Sequence, residues 1–259
     1  MVHVGSNASA SDRAAMSDAM SRANTVAALA TQAFNESLNR SVWVGEVDAP
    51  TAGAGRCNAV ADAAEAALAA ALSDPSVHSI ESDILVSSRT GQPVMAHPPA
   101  TDSDLSFDDF LVACTGGDDG RKRKHLKFDF KDAAAVGPCL ERTAAERGRL
   151  RAGGQTVWLN ADVLAGPGCH PMAVEPGHRT PPAVAADAFL ERCRAAYPEG
   201  VLSLGWKVDV VGVGGYTEAH CDAMYALLER HGLLDTELVL AVAARQTAQN
   251  PAPLLKLLR

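Results

Sequence analysis

This sequence predicts an α/β fold, with helices alternating along a parallel sheet, and three observations lead there. Stretches of strand period alternate with stretches of helical period six times between Val42 and Leu258. Strict βα succession favours a parallel sheet with helices outside it. Three of the strands also carry polar residues two apart: Glu81 and Asp83, then Lys127, Asp129 and Lys131, then Asn160 and Asp162. Residues at i and i+2 share one face of a strand. Polar groups gathered near the C-terminal ends of several strands suit the mouth of a (β/α) barrel of TIM type. An open doubly wound sheet binds more often through loops and helix N-termini. The barrel is the expected fold, and with six βα units it reads as truncated.

Residues 1–40, rich in Ser, Ala and Asn, form an N-terminal extension, either low in complexity or helical along Val26, Leu29 and Phe34. Residues 41–259 form the barrel domain. A first strand is expected over Val42–Val47, then a Gly-rich turn, then a helix from the N-cap Asn58 to Leu72, with Val60, Ala64, Leu68 and Leu72 on one face. The second strand lies in HSIESDILV, followed by a turn at Ser87–Gln92 and a short extended run, Pro93–Ala96, that ends on His97. Ser106 and Asp109 resemble a capping box and start a helix to Cys114. The third strand is His125–Phe130. The helix after it, Asp132–Leu150, is expected to kink or split at Gly137-Pro138. A fourth strand (Thr156–Leu164), a Pro/Gly-rich loop (Ala165–Pro182) and a helix (Ala185–Tyr197) follow. The fifth strand is Val201–Val208. Thr217 caps the next helix, which Gly232 ends, and the sixth strand, Leu238–Ala243, precedes a last helix over Pro253–Leu258.

Composition excludes several classes. With 47% hydrophobic residues the chain can build a sizeable core, so global disorder is excluded. A net charge of −8 argues against a nucleic-acid surface. The basic run Arg121–Lys124 reads as a charged loop. Six scattered cysteines without a CxxC pair read as reduced thiols. No apolar run approaches the roughly 18 residues of a transmembrane helix, and no signal peptide is visible. A cytoplasmic location is the default on those grounds. Gly212-Val213-Gly214-Gly215 lacks the spacing of a dinucleotide fingerprint.

Chemistry concentrates between His78 and Pro99. Glu81 and Asp83 stand about 7 Å apart along one strand face and repel unless a cation or proton lies between them. The pattern suits a hard divalent metal, and a histidine nearby, His97, suits proton transfer. A strand edge with solvated acids and an incidental loop histidine is the plainer alternative.

The segments IESDILV, PVMAHPP, LKFDFK, VWLNADVLAGPG and FLERCRAAYPEGVLSLGWK resemble, in order and spacing, the menorin-domain family. That family is similar to the glycerophosphodiester phosphodiesterases of the phospholipase-C-like barrels. The resemblance implies a divalent cation (Mg²⁺, Ca²⁺ or Mn²⁺) held by Glu81, Asp83 and Asp129. It implies His97 as one of two proton-transfer histidines and Lys131 as the charge facing a phosphate oxygen. Lys127, Asn160, Asp162 and Trp206 become candidates for substrate contact. It also leaves an extracellular location open.

Two departures bear on activity. The Trp-x-His pattern of the first strand is lost, since Trp43 is followed by Val44, Gly45 and Glu46. The first histidine is therefore missing unless Glu46 replaces it, and His3 lies too far upstream. Six units also leave an open barrel edge through which the chain could self-associate. The reading favoured is a binding or scaffold protein, non-hydrolytic or weakly active, for a phosphodiester or other small anionic ligand. The alternative is a metal-dependent phosphodiester hydrolase. A third reading, an aldolase-type barrel with a Schiff-base Lys127 or Lys131, stands behind both.

Overall fold

Alternation within HLKFDF decides which way the sheet faces. In β4 (His125–Phe130), Leu126, Phe128 and Phe130 are buried on one side, with Lys127 and Asp129 on the other. The same division runs through β2 (Ser79–Val86), β5 (Val157–Ala165) and β6 (Val201–Lys207), where Ile80 and Ile84, Leu159 and Ala161, and Leu202 and Leu204 join the apolar side. The computed structural model describes residues 41–44, 64–75, 77–116, 123–169, 184–208 and 214–257. The N-terminal extension 1–40, the Asn58 cap, Glu46 and the Gly212–Val213 turn lie outside these residues.

The sheet is completed by β1 (Ser41–Val44), β3 (Pro93–Met95) and β7 (Val239–Ala241). Its order is β1-β2-β4-β5-β6-β7, every pairing on this path parallel, with β3 antiparallel against the end of β2. This order follows the chain without the reversal that marks a doubly wound sheet. The crossovers carry α1 (Ala64–Ser73), α2 (Phe107–Thr115), α3 (Ala133–Ala145) with α4 (Arg147–Ala152), α5 (Ala186–Ala196) and α6 (Glu218–Arg230); α7 (Ala244–Gln249) and α8 (Ala252–Lys256) follow β7. The expected alternation of strands and helices is thus present as a mixed α/β fold.

The helices cover the apolar side. Phe128 meets Phe107 and Phe110 of α2 edge-on, with centroids 5.2 and 6.2 Å away, and Phe130 meets Phe189 of α5 at 5.9 Å. Edge-to-face pairs of this kind add to the burial of each ring. Helix α3 packs on β2 and β4, and α5 and α6 on β5.

Capping follows the sequence closely. Ser106 accepts a hydrogen bond from the Asp109 amide, and Asp132 accepts one from Ala134. Thr217 accepts from the His220 amide while the His220 ring accepts from the Thr217 amide, so a histidine fills the usual Glu/Gln place in the capping box. Gly232 ends the segment at a positive φ of 64°.

One expected break sits elsewhere. Helix α3 runs through Gly137-Pro138, and the split falls at Glu146, whose carboxylate is clasped by Arg142 (2.7 Å) and Arg149 (3.1 Å). Pro138 withholds one hydrogen bond from the helix without ending it, whereas two arginines converge on one carboxylate where the split falls. No helix among the described residues is long and apolar enough to cross a membrane. Cys114, Cys139, Cys193 and Cys221 are buried. Of the basic run, Lys124 is buried and donates to the carbonyls of Asp74 and Val77, both at 2.6 Å, so it ties loops together.

Candidate functional site

Register turns the polar parity of separate strands into rows. Glu81 lies beside Lys127, which lies beside Trp158. In the next row towards the C-terminal ends, Asp83 lies beside Asp129, Asp129 beside Asn160, and Asn160 beside Ser203. Asp162 follows, paired with Gly205. Glu81, Asp83, Lys127, Asp129, Asn160 and Asp162 therefore occupy one face of three adjacent strands, as their spacing predicts.

Within the face, charges sort into two groups. The Lys127 ammonium pairs with Glu81 at 2.6 Å. Lys131 lies between two aspartates, with Nζ 2.7 Å from Asp129 Oδ2 and 3.2 Å from Asp83 Oδ1. The Lys131 amide donates to the Ile84 carbonyl at 2.8 Å, which fixes the base of the side chain over the end of β2. Asp83 is wholly buried, and neither of its carboxylate oxygens nor Asp129 Oδ1 receives a hydrogen bond among the described residues. The 3.2 Å approach of Lys131 to Asp83 is an ion contact without hydrogen-bond alignment. Ser203 donates to Asn160 Oδ1 at 2.6 Å in the same row.

Burial sets the protonation of this cluster. It pushes Asp83 up to about 8 from an ordinary value of 3.8; Lys131 pulls against this, and Asp129 and Glu81 add to it. Glu81 is raised by burial against the pull of Lys127. Asp162 is raised by burial and by Asp129, against Lys131, Lys207 and Lys127. Burial works to lower the Lys131 ammonium, but Asp129, Asp83 and Asp162 outweigh it and hold this lysine above its usual range. A Schiff-base lysine needs the opposite shift. The aldolase reading therefore finds no support at Lys131.

His97 follows a hairpin that folds back along β2. The turn after β2 closes with the Ser87 amide donating to Gln92, Gly91 at φ 69° and the Arg89–Asp102 ion pair at 2.5 Å. Strand β3 then returns along β2, and the Ala96 amide donates to the Asp83 carbonyl at 3.1 Å. His97, the next residue, is half-buried.

Trp206 is not brought to this face. It shares the parity of Leu202 and Leu204, is 2% exposed, packs edge-on against Tyr216 at 5.2 Å and donates to the His220 carbonyl. Its ring is part of the helix-facing core, so its family motif reflects packing. The sequence reading missed Ser203, Lys207 and Gly205. A Cβ at Gly205 would come within 2.6 Å of Asp162 Oδ1, so only glycine leaves that carboxylate its place.

The donor set suits a hard cation in part. Buried carboxylate oxygens that receive no hydrogen bond are what such an ion satisfies. Asp83 and Asp129 supply them, whereas Glu81 is engaged by Lys127. Among the described residues no three His, Cys, Asp or Glu side chains are gathered as a ready ligand set.

The family model of the menorin N-terminal domain matches residues 58–259. Over 132 residues the chain is 32% identical to Protein FAM151B of Homo sapiens, an alignment covering 50% of this chain and 41% of that protein. The chain thus spans less than half the length of this curated relative. With the domain model matched across most of its residues, the chain belongs to the menorin family.

Proposed function

We propose that this menorin-domain protein binds a phosphodiester or another small anionic ligand on its polar sheet face together with a divalent cation, and turns it over slowly or not at all. The observation that carries this reading is the buried pair Asp83 and Asp129, with three carboxylate oxygens that receive no hydrogen bond at the C-terminal ends of parallel strands. Mg²⁺, Ca²⁺ or Mn²⁺ would be held by these two residues, because oxygen donors select hard ions. When bound, the ion would polarise a phosphoryl oxygen. Lys131 adds positive charge beside that oxygen, and Asn160 and Ser203 offer neutral hydrogen-bonding groups in the same row. A barrel of TIM type, related to the glycerophosphodiester phosphodiesterases, is part of the proposal. It is supported by strand order that follows the chain and by helices covering the apolar side.

Calorimetric titration of the wild type, Asp83→Ala and Asp129→Ala with Ca²⁺ and Mn²⁺ tests the site. The wild type should bind, and each variant should lose at least about tenfold in affinity, the equivalent of roughly 1.4 kcal/mol. Unchanged affinity in both variants would remove the cation from the proposal.

The alternative, a working hydrolase, draws on His97, which follows directly on the Ala96 amide bonded to the Asp83 carbonyl. With one proton-transfer group of two, hydrolysis of a phosphodiester should be slower by about 10²–10⁴-fold than in a two-histidine enzyme. A turnover equal to that of such an enzyme would show that another group, with Glu46 the first to replace, has taken the second role.

Self-association through the sheet edge completes the proposal. Among the described residues β7 pairs only with β6, and Val239 and Val242 beside it are exposed. Unpaired edges with apolar side chains invite pairing. Size-exclusion chromatography across a concentration series should show a dimer that Val239→Lys abolishes; a monomer at every concentration would refute it.

A further inference from the structure

We infer that Lys131 is the resident cation of the Asp83–Asp129 pair, and that its displacement towards Asp162 sets the selectivity of this pair for divalent over monovalent ions. The inference rests on the cation-binding reading above and goes beyond it by assigning Lys131 and Asp162 their parts.

The ammonium already stands where an ion would enter, 2.7 Å from Asp129 and 3.2 Å from Asp83. Its base is pinned by the backbone bond to Ile84, but the flexible four-carbon stem lets the head move. Asp162 offers that head a second seat. It is half-buried on the adjacent strand, one residue beyond Ala161 as Lys131 is one beyond its register partner Phe130, and it forms no hydrogen bond or ion pair among the described residues. Gly205 leaves the space its carboxylate occupies.

Charge arithmetic then decides which ions enter. A sodium or potassium ion would exchange one positive charge for another and lose its hydration shell, gaining nothing at two carboxylates. A divalent ion adds a unit of charge to the pair, while the released ammonium keeps an acidic partner in Asp162. Lys131 thus excludes monovalent ions by already being one. Once moved, it stands beside the ion and not in its place, where it can face an anionic ligand.

The test is calcium titration of the intact chain at low and high potassium. Lys131→Met should bind calcium at least about tenfold more tightly than the wild type, a change of roughly 1.4 kcal/mol. Potassium should compete in this variant and not in the wild type. Asp162→Asn should weaken calcium binding in the wild-type background and leave it unaltered in the Lys131→Met background, because only the former needs the second seat. Lys131→Gln, neutral and polar, serves as the second variant should Lys131→Met fail to fold. Calcium binding by the wild type with equal or weaker binding by both Lys131 variants overturns the inference and leaves the cation site standing. Absence of calcium binding in the wild type and both variants overturns the cation site, and the inference with it.

Discussion

Phe128→Ala should destabilise the protein by about 3–5 kcal/mol, the usual cost of removing a buried ring whose surroundings relax only in part. Phe128 has no exposed surface and touches three other rings: Phe107, Phe110 and Phe130, with centroids 5.2, 6.2 and 6.5 Å away. Phe130 carries the contact on to Phe189 of α5, so one ring joins β4 to the helices on both sides of it. A typical domain is stable by only about 5–15 kcal/mol, so the variant gives up a large part of the margin. The reverse face of β4 carries Lys127 and Asp129. Urea unfolding with an unchanged slope reads the effect. Phe128→Leu, which keeps most of the volume, should cost about 1.5 kcal/mol or less. A loss below about 1 kcal/mol for the alanine variant would mean that this layer is not the centre of the core.

What the sequence disclosed here is local. Strand parity placed Glu81, Asp83, Lys127, Asp129, Asn160 and Asp162 on one face, because period two is a property of each strand alone. The caps at Ser106 and Thr217 and the stop at Gly232 were legible for the same reason. Pairing between strands was not. That Glu81 meets Lys127 while Lys131 reaches Asp83 depends on register, which sequence spacing leaves open. Ser203 and Gly205 lie inside the apolar run VLSLGWK, where nothing marks them, and they matter only because β6 aligns with Asn160 and Asp162. Trp206 is the opposite case. Its parity with Leu202 and Leu204 was there to be read, and the motif around it outweighed that signal. The split at Glu146 depends on two arginines meeting one carboxylate, whereas Gly137-Pro138 carried the more familiar mark of a break.

Asp83→Asn should stabilise the protein at alkaline pH, by roughly 1–3 kcal/mol, and the gain should vanish on acidification below about pH 4. In the unfolded chain this carboxyl loses its proton near its ordinary value of 3.8, whereas in the folded protein burial holds the proton up to about 8. Below the lower value both states are protonated and burial of the group carries no charge penalty. Between the two values the unfolded state sheds the proton first, and each step up in pH draws the equilibrium towards unfolding. Above about 8 the folded state must hold the buried charge, and the stability present in acid has been lost. Asparagine keeps the shape and never ionises, so the variant escapes this slope. Its gain is smaller than the full shift would imply, because Lys131 loses one of its acidic neighbours while keeping Asp129. Thermal melts of both proteins at acid, neutral and alkaline pH should therefore diverge steadily with pH. On the proposed cation site, calcium should then stabilise the wild type at alkaline pH by mass action more than it stabilises the variant. A variant less stable than the wild type by the same amount at every pH would show that Asp83 is an ordinary packing position and that its charge has no part in the site.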